Sequence, residues 1–167
     1  MSTACTSPSL LRPEDVDFIQ RGVSVCVASR DVRHVPSLAR GLACVAEQEG
    51  RKLRLLLVRP QSDVLLRDLE KSGQIAVVFT RPSTHKALQI KGSDARLEAA
   101  SEQDVQQVQA CFEAFADDLL QLGFGHDFTS LYYDHVVADL VAVTFTPSSV
   151  FMQTPGPNAG ARMEPPT

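Results

Sequence analysis

The residues best equipped for chemistry crowd into one short stretch, RPSTHKALQIKG, at positions 81–92. It gathers Arg81, Ser83, Thr84, His85, Lys86, Gln89 and Lys91 into a turn and the start of a strand. Such a donor-rich, cationic patch suits a phosphate and the edge of a heterocycle, because charge-assisted hydrogen bonds are the strong ones. A solvated hairpin whose polar residues face water would carry the same composition. A second candidate is Arg40, set beside Gly41 inside the apolar SLARGLACVA. An arginine next to a glycine in such a strand marks a bound anion or a close backbone approach, or else pairs with an acid at the strand's rim. The third is QTPGPNAG at 153–160. Ordering it without a surface is costly, so it reads either as a loop folded over a ligand or a neighbouring subunit, or as a disordered linker.

Other chemistries find no template. The chain has no GxSxG, HExxH, phosphate-binding GxxxxGK[ST] or dinucleotide GxGxxG motif. Histidines at 34, 85, 126 and 135 lack paired metal spacing, and cysteines at 5, 26, 44 and 111 form no CxxC pair, so neither a metal site nor a disulfide is expected. Sixteen basic against twenty acidic residues leave a net charge of −4, which argues against a nucleic-acid or anionic-membrane surface. No apolar run exceeds five residues, and MSTACTSPSLLRPED has neither the basic nor the apolar region of a signal peptide. A cytoplasmic protein is the expectation.

The elements that must position these residues follow from periodicity. Residues 1–12 are polar and read as a flexible N-terminus, after which Pro13 opens a short helix, PEDVDFIQ. Val23, Val25 and Val27 then alternate with Ser24, Cys26 and Ala28 as a strand, and strands at 38–46 and 53–58 follow across a loop containing Gly50. Three consecutive antiparallel strands make a meander. A short helix from Val64 to Lys71, N-capped by Gln61, Ser62 or Asp63, precedes a strand at 75–79 that reads as covered on both faces. Lys86 to Ala99 reads as one strand, with Leu88 and Ile90 on one face and Ala87, Gln89 and Lys91 on the other. Ser101 to Asp104 forms a capping box ahead of the stripe Val105, Val108, Phe112, Phe115, Leu119 and Leu122. A polar stretch with His126 and Tyr132 leads to a last strand at 140–145, continued by 150–154. Six strands in this order describe a mostly antiparallel barrel with appended helices: one domain over 13–154, with a Pro/Gly-rich tail at 155–167.

From about Phe18 to Gly160 these pieces resemble the pyridoxamine 5'-phosphate oxidase-like family of FMN-binding split barrels. The likeness runs through FIQRG, VSVCVASRD, the P-x-x-x-R-G of Pro36 to Gly41, LRLLLV, the helix after Ser62, IAVVF, PSTHKALQIKG and QTPGPNAG. It implies a mostly β, six-stranded antiparallel split β-barrel that works as a homodimer and holds FMN in clefts at the dimer interface. The matching positions are Arg40, Ser62, Thr84, Lys86, Gln89 and Lys91. The expected function is that of an FMN-dependent oxidoreductase acting on a small-molecule redox substrate, with no catalytic residue identified. The alternative is a non-catalytic flavin or haem carrier or sensor, with His85 or His126 as an iron ligand. The chain departs from the vitamin oxidase itself, having no tryptophan and having Asp63 and Val64 where a basic pair follows the helix serine. Its phosphate grip must therefore use other cations.

Overall fold

The alternating stretches pair into a single eight-stranded sheet. The computed structural model describes residues 8–125, 127 and 139–166. In chain order the elements are α1 (Pro13–Ile19), β1 (Ser24–Arg30), β2 (Pro36–Glu47), a 3-10 turn (Gln48–Gly50), β3 (Lys52–Val58), α2 (Arg59–Ser72), β4 (Ile75–Thr80), β5 (Ala87–Gly92), β6 (Arg96–Ala99), α3 (Glu102–Gln121), β7 (Leu140–Phe145) and β8 (Ser149–Met152). The strand order is β6-β7-β3-β2-β1-β4-β5-β8, and every neighbouring pair is antiparallel.

The expected six strands become eight because two of them break. Lys86 to Ala99 divides after Gly92, and 140–154 divides at 146–148; in each case the halves go to opposite ends of the strand order. That separation forces the sheet to curl. In a flat sheet β5 and β6 would be six strand spacings apart, roughly 29 Å. The four-residue step from Gly92 to Arg96 reaches at most about 14 Å. The two ends of the order must therefore approach each other, and Gly92 lies where they meet: a Cβ there would sit 2.5 Å from Phe145 Cδ2 and 2.9 Å from the Thr146 carbonyl oxygen.

The concave side holds the main core. Val25, Val27, Leu53, Leu55, Leu57, Val77, Phe79, Leu88, Ile90, Val143 and Phe145 meet there with Leu65, Leu66 and Leu69 of α2 and Phe18 and Ile19 of α1. The helix α2 is longer than Val64 to Lys71 and starts earlier, with Pro60 in its opening positions. Ser62 therefore lies inside the first turn, and no side chain caps the helix N-terminus. Ile75 to Thr80 alternates buried and half-buried residues, so β4 is covered on one face only. Leu11, which falls in the expected flexible N-terminus, is instead 2% exposed and packs within the main core.

A second, smaller core forms on the convex side, where Val108 and Cys111 of α3 cover Leu42, Ala43, Leu56, Val58 and Ala142. The capping box is present, since the Ser101 hydroxyl accepts from the Asp104 N–H and the Asp104 carboxylate accepts from the Ser101 N–H. The buried stripe is rotated from the expected one: Cys111 and Ala116 join Val108, Phe115 and Leu119, whereas Leu122 is exposed. Arg54 of β3 fixes the helix start. Its Nη2 donates to Asp104 at 2.8 Å and to the Ala99 carbonyl at 2.9 Å, and its Nη1 donates to Glu98. Asp104 is held below the usual carboxylate range, first by the Arg54 hydrogen bonds, and Glu98 is lowered first by a hydrogen bond from Thr144.

The tail is no linker within this chain. Met152 N–H donates to Ala161 O at 2.9 Å, Met163 N–H donates to Val150 O at 2.8 Å, and Phe151 bridges Arg162, so the segment turns back along β8. The stretch with His126 and Tyr132 lies outside the described residues.

Candidate functional site

Side chains that oppose one another across neighbouring strands share a face of the sheet. Arg40 pairs with Cys26, Cys26 with Val78, Val78 with Gln89, and Gln89 with Phe151. Two residues along, Leu38, Ala28, Ala76, Lys91 and Ser149 form a parallel row. None of these residues is fully buried, because α3 covers only the β2–β3–β7 side of the convex face. The open surface beside α3 is therefore a shallow platform across β2, β1, β4, β5 and β8.

Of the six residues matched by resemblance, Arg40, Gln89 and Lys91 stand on this platform. The cations diverge: the Arg40 guanidinium lies 5.6 Å from the Phe115 ring of α3, and the Lys91 ammonium lies 4.8 Å from the Phe151 ring of β8. Gly41 beside Arg40 answers to a close approach, since a Cβ there would sit 2.7 Å from Val25 Cγ1. Gln89 meets the tail, with Gln153 Nε2 at 3.5 Å from its Oε1, while the Gln153 N–H donates to Ala87 O at 2.9 Å.

The expectation that the 81–86 turn closes on the same cleft does not hold within the chain. Lys86 Nζ sits 4.5 Å from the Phe18 ring and Arg81 is 5.4 Å from it, so both cations pack against α1 at one end of the barrel. Nearby Asp15 is raised above the usual carboxylate range by burial, an effect that the charge of Lys86 partly offsets. Ser83 is committed to α3: its N–H donates to Asp118 at 3.0 Å and its hydroxyl donates to the same carboxylate. Thr84 is exposed and its Oγ1 accepts from the Lys86 N–H at 3.3 Å. His85 is exposed, with a left-handed φ of 56°.

Ser62 stands apart from the platform's side chains but close to Arg40 along the backbone. Gly41 pairs with Leu57, so continuing the antiparallel register sets Arg40 beside Val58, the N-cap residue of α2. There the helix begins without a side-chain cap, and the Ser62 hydroxyl is buried with no hydrogen-bond partner.

Arg30 and His34 escape sequence reasoning, because DVRHVP reads only as a turn. The structure places them with Lys91 around a cleft of about 470 Å³ at the far end of the platform. Cys26 belongs to the central row and is exposed, whereas Cys44 and Cys111 are buried, and burial pushes both of those thiols up.

No protein-family model matches the chain, and no curated protein sequence matches it. Solved structures do. HupZ of Group A Streptococcus is 14% identical with a TM-score of 0.55, covering 90% of this chain and 99% of its own. An F420 reductase is 13% identical with a TM-score of 0.53, covering 80% of this chain and 93% of its own. A pyridoxamine 5'-phosphate oxidase-related, FMN binding protein from Nostoc punctiforme is 14% identical with a TM-score of 0.50, covering 92% and 89%. The fold is that of the pyridoxamine 5'-phosphate oxidase-like split barrels. Among the described residues, no helix is long and apolar enough to cross a membrane.

Proposed function

We propose that the protein is a homodimeric FMN-binding flavoprotein that passes electrons to or from a small-molecule substrate, with the flavin held against the platform. The observation that carries this reading is the corner where Arg40 adjoins the start of α2. A buried hydroxyl without a partner costs about 1–3 kcal/mol, and the first amides of a helix form a ready anion site. The orphaned Ser62 hydroxyl, the uncapped α2 terminus and the Arg40 charge together suit a terminal phosphate. Arg40 would neutralise that group while the α2 amides hydrogen-bond it. Gln89 would offer its amide to the edge of the ring, and the less polar Cys26 and Val78 between them would accept a flat face. FMN, when bound, supplies the electron or hydride transfer. The exposed apolar side chains Val32, Val35 and Leu38 support a second copy against this face, at 77%, 53% and 65% exposure.

The test is extraction and mass spectrometry of the small molecule that co-purifies with the protein, followed by fluorescence titration with FMN. Saturable binding of one FMN per chain is expected. Absence of any saturable quenching would overturn the reading, and a Soret band in the purified protein would replace it with a haem carrier.

A further inference from the structure

The cleft at the far end of the platform lies where β1 and β5 end and β2 and β4 begin. Arg30, His34 and Lys91 line it, together with Ser93 and Ser149. No carboxylate lines it, although the chain carries twenty acidic residues. Nor does any of the three basic side chains form an ion pair among the described residues. The two flanking acids are turned to other work. Asp31 Oδ1 accepts from the Arg33 and Val35 N–H groups, both at 2.8 Å, and Asp94 Oδ1 accepts from the Thr146 N–H at 2.8 Å.

The groups that remain are pre-positioned. The Asp31 loop holds His34 in the left-handed region at φ 65°, with the His34 N–H donating to Asp31 O at 3.1 Å. Lys91 is restrained by its contact with Phe151. Ser29 and Ser148 spend their hydroxyl protons on the Gln74 and Lys91 carbonyls, at 2.8 and 3.1 Å. No such bond engages the hydroxyls of Ser93 and Ser149 among the described residues. Ala28, Ala76 and Pro36 give the cleft an apolar floor. A volume of about 470 Å³ falls in the range of small-molecule sites.

We propose that this cleft binds a phosphate-bearing small molecule, its anionic group taken by Arg30, Lys91 and His34 and its organic part lying on the alanine floor. The site is separate from the corner at Arg40. Three strand spacings, roughly 14 Å, separate β2 from β5, and the Arg40 and Lys91 side chains lean toward opposite edges. The charges of Arg30 and Lys91, gathered in a concavity that no carboxylate lines, set up a local positive potential that draws an anion in an otherwise acidic protein.

The test is calorimetric titration of the full-length protein with pyrophosphate, with and without FMN. Saturable binding is expected in both cases. Arg30→Gln and Lys91→Gln should each weaken it tenfold or more, about the loss of one charge-assisted contact. His34→Asn, which tolerates the left-handed backbone, should weaken it several-fold with an unchanged thermal midpoint. Arg67→Gln, on the exposed face of α2, should leave it within twofold. No saturable heat, or an equal loss in Arg67→Gln, would overturn the assignment by showing only diffuse charge. Competition by FMN, together with FMN release from Arg30→Gln, would overturn it by making the cleft the flavin's own phosphate site. Pyrophosphate binding in a protein that never binds FMN would remove the flavin reading and leave this one standing.

Discussion

Arg40 brings a charge to the point where a flavin phosphate would meet the start of α2. Arg40→Ala is therefore expected to weaken FMN binding about tenfold, roughly 1.4 kcal/mol, while riboflavin, which lacks the phosphate, changes less; fluorescence titration of both ligands checks it. Arg54 and Asp104 make the opposite kind of pair, a structural one, with side chains only 13% and 6% exposed. Because Asp104 is held below its ordinary range, first by Arg54, its ionised form is favoured in the folded state. That stability is present above the unfolded value near 3.9 and is lost as pH falls through the lower folded one. Asp104→Asn should cost about 3 kcal/mol at neutral pH, and urea unfolding should find the gap to the parent narrowing below about pH 4. At this scale the sequence is an incomplete guide. The alternation that sets Gln89 and Lys91 on one face is visible in ALQIKG. The Asp118 that claims Ser83 and the Phe18 that receives Lys86 are distant in sequence, and nothing in the spacing of RPSTHK announces them.

The elements themselves were largely legible, since period-two valines and a capping box are local signals. What periodicity could not show was where a strand stops pairing with one neighbour and begins with another. Gly92 is such a point: β5 ends there, and Phe145 and Thr146 occupy the space a side chain would need. Gly92→Ala is expected to destabilise the fold by about 2 kcal/mol, read as a lowered urea midpoint. A similar blindness explains α2, whose start at Arg59 depends on Pro60 tolerating a first helical turn rather than on a capping side chain. The rotation of the α3 stripe has a packing cause. Cys111 packs against Leu42 and Ala43 of β2, and its Sγ–H donates to the Gln20 carbonyl at 3.2 Å, while Leu122 is the C-cap residue beyond the last helical turn and stays exposed.

For the whole molecule, the apolar tip of the β1–β2 hairpin is the feature that invites a partner. Leu38→Lys should convert a dimer to particles of half the mass in sedimentation, while the far-ultraviolet spectrum stays unchanged; a parent already monomeric at micromolar concentration would remove the dimer from the proposal. The barrel could be inferred from element order, but the two strand breaks could not, because each turns on a short connection that ties opposite ends of the strand order together. The returning tail has a consequence of a different kind. By pairing with Val150 and Met152 it occupies the edge of β8 that would otherwise offer unpaired amides and carbonyls to any passing strand. A chain ending at Thr154 would keep its core and its platform yet leave that edge bare. Such a truncated protein should assemble slowly into thioflavin-positive fibrils on storage while the full chain stays clear, so these last residues act as a guard on shelf life.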